Sequence, residues 1–408
     1  MTDATGRSFL SYRRTRVGEA RSLIEAQHDV GIPTWQDLSE LDEGHTEALL
    51  REVLADETTA SALCWLTPDI ETSDVITRTE LPCILARIER SDAFFMVPVA
   101  AGGLGYEDVA RLVGTYLGVH DLGQWNIRKV AGDPISADDA AVVAHLVLRR
   151  RLREICKQLP LNTPLRIVLN TRKKPAFEQG VALSLDWTHR FDGRMARAAA
   201  WRQHLLPALE SVAQACAEHA RGRQIVAEGL CALPAALALG CAFLAPRSLA
   251  ISWRQISPKR MPELWSLAAA PEPCGFTAQV LPASSGADDL AVLVSVASAV
   301  EPAFAASRPD LPSFRGIVVV TRPGNYPHDI ETPGQAADLA RVIVEGLRKA
   351  RAMLQPRGAV HLFLAVPAGL AMMIGQMLNT LGPVQTYEHV AIDAVGVYQP
   401  AVLLDPSA

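Results

Sequence analysis

The first 130 residues or so alternate between short apolar runs and longer stretches whose apolar positions recur at helical spacing. "SFLSY" (8–12) is strand-like, a helical stretch follows through Leu23 and Ile24 to His28, and "GIPTW" (31–35) reads as a second strand. Positions 48, 49, 50, 53 and 54 mark one helix face in "HTEALLREVLAD" (45–56), and "ASALCWLT" (60–67) is a third strand. "SDVITRTELP" (73–82) then opens a helix predicted to run to about Ser91, with Ser73 as its cap, and "AFFMVPVA" (93–100) is strand four. Such alternation implies right-handed βαβ units and a parallel sheet. Ligands of these sheets sit outside the C-terminal ends of the strands. Here those ends are "SYRRT", "WQDLSELDEGH" and "TPDIETS", and the last leads directly to Glu80.

Residues 121–136 are polar and turn-rich, and a helix from about 137 to 158 follows, ending in "LRRRLREICKQL". Its arginine run reads as a solvated face or as a contact to a neighbouring domain or subunit. After Pro160 the pattern restarts with "LRIVLNT" (165–171), and the second half contains a repeat. "ALPAALA" (232–238) and "AVPAGLA" (365–371) agree at five of seven positions. Each follows a strand-like lead and precedes an aromatic residue at nearly the same distance, Trp253 in one copy and Tyr387 in the other. Two related α/β units of this kind pack about a pseudo-two-fold axis and share one central site. In each copy a strand turns through Pro into a small-residue helix. Pro suits a first helical turn, and small residues let backbone N–H groups approach a phosphate there. Tight helix–sheet packing explains the same residues without a ligand.

Composition narrows the classes. A chain of 408 residues exceeds what one core serves and predicts two or three domains. With 49% hydrophobic and 20% charged residues it is well cored, and a net charge of −5 argues against a broad basic surface for DNA or RNA. The seven cysteines show no C-x-x-C spacing and the start "MTDATGRSFL" no secretory signal, so reduced thiols and a cytoplasmic location are expected. The histidines lack paired-ligand spacing, so no metal is expected. "GLCALPAALALGCAFLAP" (229–246) is uncharged and about long enough to span a bilayer, but Pro234, Gly240 and Pro246 interrupt it, and a buried strand, loop and helix explain it better.

Three features of the first half resemble a TIR domain of the bacterial defence type, over roughly residues 6–130: F-L-S-Y at the first strand, Trp35, Asp37, Leu41 and Gly44 running into the second loop, and "SDVITRTELP". The resemblance implies a flavodoxin-like domain with a parallel sheet that cleaves the nicotinamide–ribose bond of NAD, with Glu80 as the essential residue. Ile76 and Thr77 stand where Trp-Cys is typical of the family. The chemistry suits a fixed carboxylate. Nicotinamide leaves as a neutral molecule and needs no general acid, whereas the ribose becomes cationic and is stabilised by a nearby anion. Pro82 has no N–H, so a helix through it loses the bond to the Arg78 carbonyl and tends to kink beside Glu80. Ser11, Tyr12, Arg13, Trp35 and Asp37 are the candidate substrate-binding residues. Tyr12 and Trp35 either stack on nicotinamide or adenine or pack at strand ends. Arg13 either meets the pyrophosphate or is an ordinary loop arginine, and Asp37 either orients the Trp35 loop or caps it.

The second half, about 161–408, resembles a SAVED domain built of two fused CARF-like Rossmannoid units, about 161–285 and 286–408. The carriers are "VALSLDWTHRFDGR" (181–194), "W-x-x-x-L-L-P-A-L" from Trp201, "EGLCALPAALALGCAF", "LAVLVSVASAV" (290–300) and "HLFLAVPAGLAMMIGQML" with "TYEH". What this implies is recognition of a cyclic di-, tri- or tetranucleotide made by a cGAS-like nucleotidyltransferase. Candidate contacts are the helix starts at Pro234, Ala235, Pro367 and Ala368, the hydroxyls of Ser295 and Ser298, and base stacking on Trp187, Trp253 and Tyr387. Each aromatic has core packing as its plain alternative, and "TRKKP" (171–175) reads as a solvated loop.

The expected organisation is therefore a TIR domain (1–135), a connecting helix (136–160) and a SAVED domain (161–408). The pairing implies an NAD hydrolase of cyclic-oligonucleotide-based anti-phage signalling (CBASS), assembled into an oligomer or filament when the activator, a cyclic tri-adenylate as the first choice, binds. NAD is substrate and no cofactor, membrane or long nucleic acid is required. A non-catalytic TIR scaffold and a hydrolase of another N-glycoside remain the alternatives.

Overall fold

The computed structural model describes residues 1–35, 46–90, 92–117, 127–244, 249–257, 260–392 and 395–406. The chain divides into two compact units whose segments interleave along the sequence. One comprises Met1–Val168, Pro175–Asp186 and Gln214–Arg221; the other comprises Leu169–Lys174, Trp187–Ala213 and Gly222–Ala408.

In the first unit, β1 (Arg7–Ser11), β2 (Thr34–Trp35), β3 (Thr59–Leu66), β4 (Phe95–Ala100) and β5 (Arg128–Lys129) form the expected parallel sheet, in the order β2-β1-β3-β4-β5. The helices between them are α1 (Val17–Asp29), α2 (Thr46–Ala55), α3 (Leu81–Glu89) and α4 (Tyr106–Leu117). All eight residues of β3 are buried, which accounts for the unbroken apolar run Ala62–Leu66 within it. The chain leaves β1 toward one edge and returns at β3 toward the other, so strand order reverses between β1 and β3. In sheets of this order the ligand crevice opens at that switch point, outside the C-terminal strand ends.

α5 (Ala137–Gln158) starts on Ser136, whose Oγ accepts from the Asp139 N–H at 3.0 Å. It belongs to the first unit and packs along α1. The arginine run is solvated at Arg149, Arg150 and Arg153, as expected, but not at Arg151. Arg151 is 1% exposed and donates to the carbonyls of Ala182 (2.9 Å), Gly6 (2.5 Å) and Thr5 (2.6 Å). Arg149 pairs with Glu218 at 2.8 Å, and the Arg150 guanidinium lies 5.7 Å from the centre of the Phe95 ring.

The chain continues through β6 (Leu165–Asn170), β7 (Leu183–Asp186), the short hairpin of β8 (Phe191–Asp192) and β9 (Met195–Ala196), and α6 (Leu206–His219). The second unit then shows the repeat as topology. β10 (Ile225–Glu228), α7 (Leu233–Ala242), β11 (Ile251–Ser257) and β12 (Arg260–Trp265) form one copy, in which β11 is parallel to β10 and antiparallel to β12. β13 (Thr277–Pro282), β14 (Asp289–Ser295), α8 (Glu301–Ser307), β15 (Phe314–Thr321) and α9 (Pro333–Leu354) come next. The second copy is β16 (Val360–Ala365), α10 (Ala368–Gly375), β17 (Val384–Ile392) and β18 (Val395–Leu404), with the same parallel-then-antiparallel pairing. Its sheet runs β13-β15-β14-β16-β17-β18.

The two Pro helices pack on each other through glycine. A Cβ on Gly240 would lie 2.0 Å from the Met372 carbonyl oxygen, and one on Gly375 would lie 2.2 Å from that of Leu237. Both clashes are with backbone, which cannot swing aside. We expect Gly375→Ala to cost about 1–3 kcal/mol of stability. At roughly 2–4 °C per kcal/mol, a melting curve within about 1 °C of wild type would refute this account of the crossing. α7 is ten residues long and buried almost throughout. Among the described residues no helix is long and apolar enough to cross a membrane.

Candidate functional site

In the first unit the switch point is occupied by a carboxylate. The helix that begins after Ser73, whose Oγ accepts from the Ile76 N–H at 3.4 Å, does not run straight into α3. Residues Ile76–Glu80 form a π-helical turn, closed by the Leu81 N–H donating to the Ile76 carbonyl five residues back. Pro82 explains it: the bond from residue 82 to the Arg78 carbonyl cannot form, and the widened turn takes up the defect. The expected kink is thus a bulge in the helix. It leaves Arg78 outside and turns Thr77, Thr79 and Glu80 inward; Glu80 is only 6% exposed.

Ser11, the last residue of β1, lies in register with Cys64 of β3 and donates its Oγ–H to Glu80 Oε2 at 2.5 Å. Strand end and helix start therefore meet on one carboxylate oxygen. Burial, with the Glu80 charge adding to it, pushes the Cys64 thiol far above its ordinary range, so Cys64 stays a neutral thiol and is no nucleophile here. Around the rim, Arg13 Nη2 donates to Thr72 Oγ1 at 3.0 Å and its Nε lies 3.6 Å from Asp69 Oδ2. Burial pulls the Asp69 carboxyl upward, but hydrogen bonds from Thr67 and Thr15 and the Arg13 charge outweigh it and hold the group below the usual carboxylate range.

Of the other candidates in this unit, Tyr12 is buried at 8% exposure. Trp35 is a core residue, stacked on Phe9 with ring centres 5.6 Å apart. Asp37 lies outside the described residues.

In the second unit, each Pro-helix start meets the aromatic strand of the other copy. The Gly369 N–H of α10 donates to Gln255 Oε1 of β11 at 3.4 Å, and Gly369 has no room for a Cβ beside Trp253. At α7 the partner is Glu388 of β17, next to Tyr387. The start of α7 is also closed from within: the Leu230 N–H donates to Asn170 Oδ1 and the Ala232 N–H to Thr171 Oγ1, both at 2.9 Å. Pro234 and Ala235 are buried there, whereas Pro367 and Ala368 are half-buried at the start of α10. Ser295 is spent on α8, with its Oγ accepting from the Val300 N–H at 3.0 Å and donating to Glu301 at 3.1 Å; Ser298 is exposed.

The three aromatics are packed inside the unit and show no open face. Trp187 meets Trp201 edge-on, Trp253 is buried against the start of α10, and Tyr387 stacks on Phe363 at 4.3 Å with its hydroxyl 2.8 Å from His361 Nδ1. Sequence reasoning missed a charged cluster instead. Glu388, 2% exposed, takes Arg194 Nε at 2.9 Å and has Arg172 Nη2 at 3.7 Å. Burial raises its carboxyl against the pull of Arg194, Arg172 and the Leu233 N–H. The available signal was a charge inside a strand, Glu388 within "VQTYEHVAI", and the two loops that supply the arginines.

Residues 208–404 match the family model of the SAVED domain, described as the SMODS-associated and fused to various effectors sensor domain. Comparison with curated proteins returns no match. Among solved structures, the chain is similar to the Acinetobacter baumannii Cap4 SAVED/CARF-domain containing receptor with the cyclic trinucleotide 3'3'3'-cAAA. The identity is 14% over 97% of this chain and 100% of that one, with a TM-score of 0.50. The same receptor with 2'3'3'-cAAA matches at 14% identity over 90% and 86%, with a TM-score of 0.49. A Moraxella osloensis Cap4 SAVED/CARF-domain containing receptor matches at 12% over 97% and 100%, with a TM-score of 0.44. At these identities the likeness concerns the fold alone.

Proposed function

We propose that this chain is a two-part effector in which a cyclic oligonucleotide bound to the SAVED region switches on NAD cleavage by a TIR-type first unit. The observation that carries the enzymatic half is the buried Glu80 carboxylate, fixed by Ser11 at the switch point of a parallel sheet. The sensor half is supported by the SAVED match over 208–404 and by the reciprocal packing of the two Pro helices.

In this reading the C1′–N bond of the nicotinamide riboside breaks and nicotinamide departs with the bonding electrons as a neutral molecule. The positive charge left on the ribose is opposed by Glu80, and water then adds at C1′ and loses a proton. The Glu80 position needs no proton of its own in the bond-breaking step. Binding of the activator, a cyclic tri-adenylate by preference, drives oligomerisation and assembly of working sites, and loss of NAD then halts phage growth in a cell whose cGAS-like enzyme has made the signal.

The test is a panel of cyclic di-, tri- and tetranucleotides against the full chain, read by cleavage of a fluorescent NAD analogue alongside size-exclusion chromatography. We expect one class to raise the cleavage rate at least about 100-fold and to shift the elution volume. NAD left intact under every ligand, with the ligand bound, would instead support a non-catalytic role.

A further inference from the structure

Two arginines converge on one carboxylate that has been taken out of water. Arg172 follows β6 and Arg194 sits in the turn of the β8–β9 hairpin, so two separate loops bring positive charge to Glu388 in the middle of β17. The arginine side chains remain 33% and 50% exposed, while Glu388 is 2% exposed. Its Oε1 takes both guanidiniums, and its Oε2 is buried with no hydrogen-bonding partner among the described residues. A guanidinium carries five donors in a planar fork; Arg194 donates one of them to Glu388, and Arg172 approaches the same oxygen at ion-pair distance. Both arginines keep part of their side chains open to solvent, and Asn170 and Thr171, immediately before Arg172, are pinned to the start of α7 by their side chains. If the cluster served stability alone, one exposed partner would suffice; a second half-exposed arginine on an independent loop adds little to a pair already made.

Resting on the sensor reading above, we propose that Arg172 and Arg194 form a phosphodiester-binding subsite of the second unit, with Glu388 as the built-in counter-charge that holds both guanidiniums in position. A cyclic oligonucleotide then meets positive groups that are already oriented, without a broad basic surface, consistent with the net charge of −5. The two helix starts are unequal in this respect, since the Gln255 carboxamide stands at α10 where a carboxylate and two arginines stand at α7.

The test is direct binding of 3′3′3′-cyclic tri-adenylate, and of the cyclic di- and tetranucleotides, to the full chain by titration calorimetry at several salt concentrations. Arg194→Ala and Arg172→Ala are each expected to weaken binding about tenfold and to flatten the salt slope, since screening then acts on one charge pair fewer. Glu388→Gln, which keeps the shape but removes the charge that holds the guanidiniums, is expected to weaken binding at least about threefold, and unchanged binding would remove Glu388 from the subsite. If the wild type binds and both arginine variants stay within about twofold with an unchanged salt slope, the subsite is wrong while the sensor reading stands. If the wild type binds no member of the panel, the sensor reading falls and takes the subsite with it. Should Arg194→Ala lose its fold by circular dichroism, Arg194→Lys decides: it keeps the charge and the salt slope but is expected to lose at least about threefold in affinity for want of the fork, and binding equal to wild type overturns the assignment.

Discussion

Glu80→Gln is expected to lower ligand-triggered NAD cleavage by about three orders of magnitude while leaving the fold and the affinity for the cyclic oligonucleotide unchanged. The substitution keeps the shape and one acceptor oxygen, to which the Ser11 hydroxyl that donates to Glu80 Oε2 at 2.5 Å can still donate. What it removes is one full negative charge in a site shielded from water. A unit charge about 4 Å from a developing cation, at an effective dielectric near 20, is worth about 4 kcal/mol. At about 1.36 kcal/mol per decade, that is about a thousandfold in rate. Cys64, in register with Ser11, cannot replace it, being held as a neutral thiol by burial and by the Glu80 charge itself. The measurement is turnover of a fluorescent NAD analogue at saturating activator, with binding followed separately by calorimetry. A variant that cleaves NAD at the wild-type rate would remove Glu80 from the mechanism. One that loses cleavage together with activator binding would show that the residue supports the fold.

The parallel sheet of the first unit was legible because burial writes itself into composition. β3 is enclosed at all eight positions and is apolar at six of them, and the helix faces between strands follow from spacing alone. Pro82 was legible as a disturbance beside Glu80, but its form was not. A lost hydrogen bond can end a helix, kink it or widen a turn, and the choice depends on what packs behind it, here Thr77, Thr79 and Glu80 turning inward. The repeat in the second unit was readable from seven residues, since the same backbone path needs Pro and small side chains at the same steps.

Aromatic roles were far less readable. A buried ring and a stacking platform require the same residue, and Trp187, Trp253 and Tyr387 all lie in the interior. Charged residues misled in the opposite sense. Arg172 and Arg194 look like loop arginines until the sheet brings Glu388, some 200 residues away in the chain, between them. Long-range pairing of this kind leaves no local pattern, only a charge where strand alternation calls for an apolar residue.

Arg151 is the extreme case of that blindness, and its removal should have the largest effect on stability. In sequence it is the third of three arginines near the end of a 22-residue helix. In the fold it donates to the carbonyl oxygens of Thr5, Gly6 and Ala182, and burial draws its pKa down to about 10. The group remains charged at neutral pH, supported by three carbonyl dipoles and by the charge of Asp3. Arg151→Ala leaves those three acceptors in a cavity without donors, at about 1–3 kcal/mol for each one water cannot reach. A total of about 3–5 kcal/mol, at roughly 2–4 °C per kcal/mol, predicts a fall in melting temperature on the order of 10 °C. Arg151→Lys keeps the charge but has no fork, and should recover less than half of the loss. The consequence reaches the candidate active site, because Thr5 and Gly6 lead straight into β1, and β1 ends on Ser11, the donor to Glu80. Activity at temperatures well below the melting point is therefore expected to fall more in Arg151→Ala than in a core variant of equal stability, such as Leu148→Ala adjusted by temperature. Melting within about 2 °C of wild type would show that water reaches these carbonyls and that the clamp contributes little.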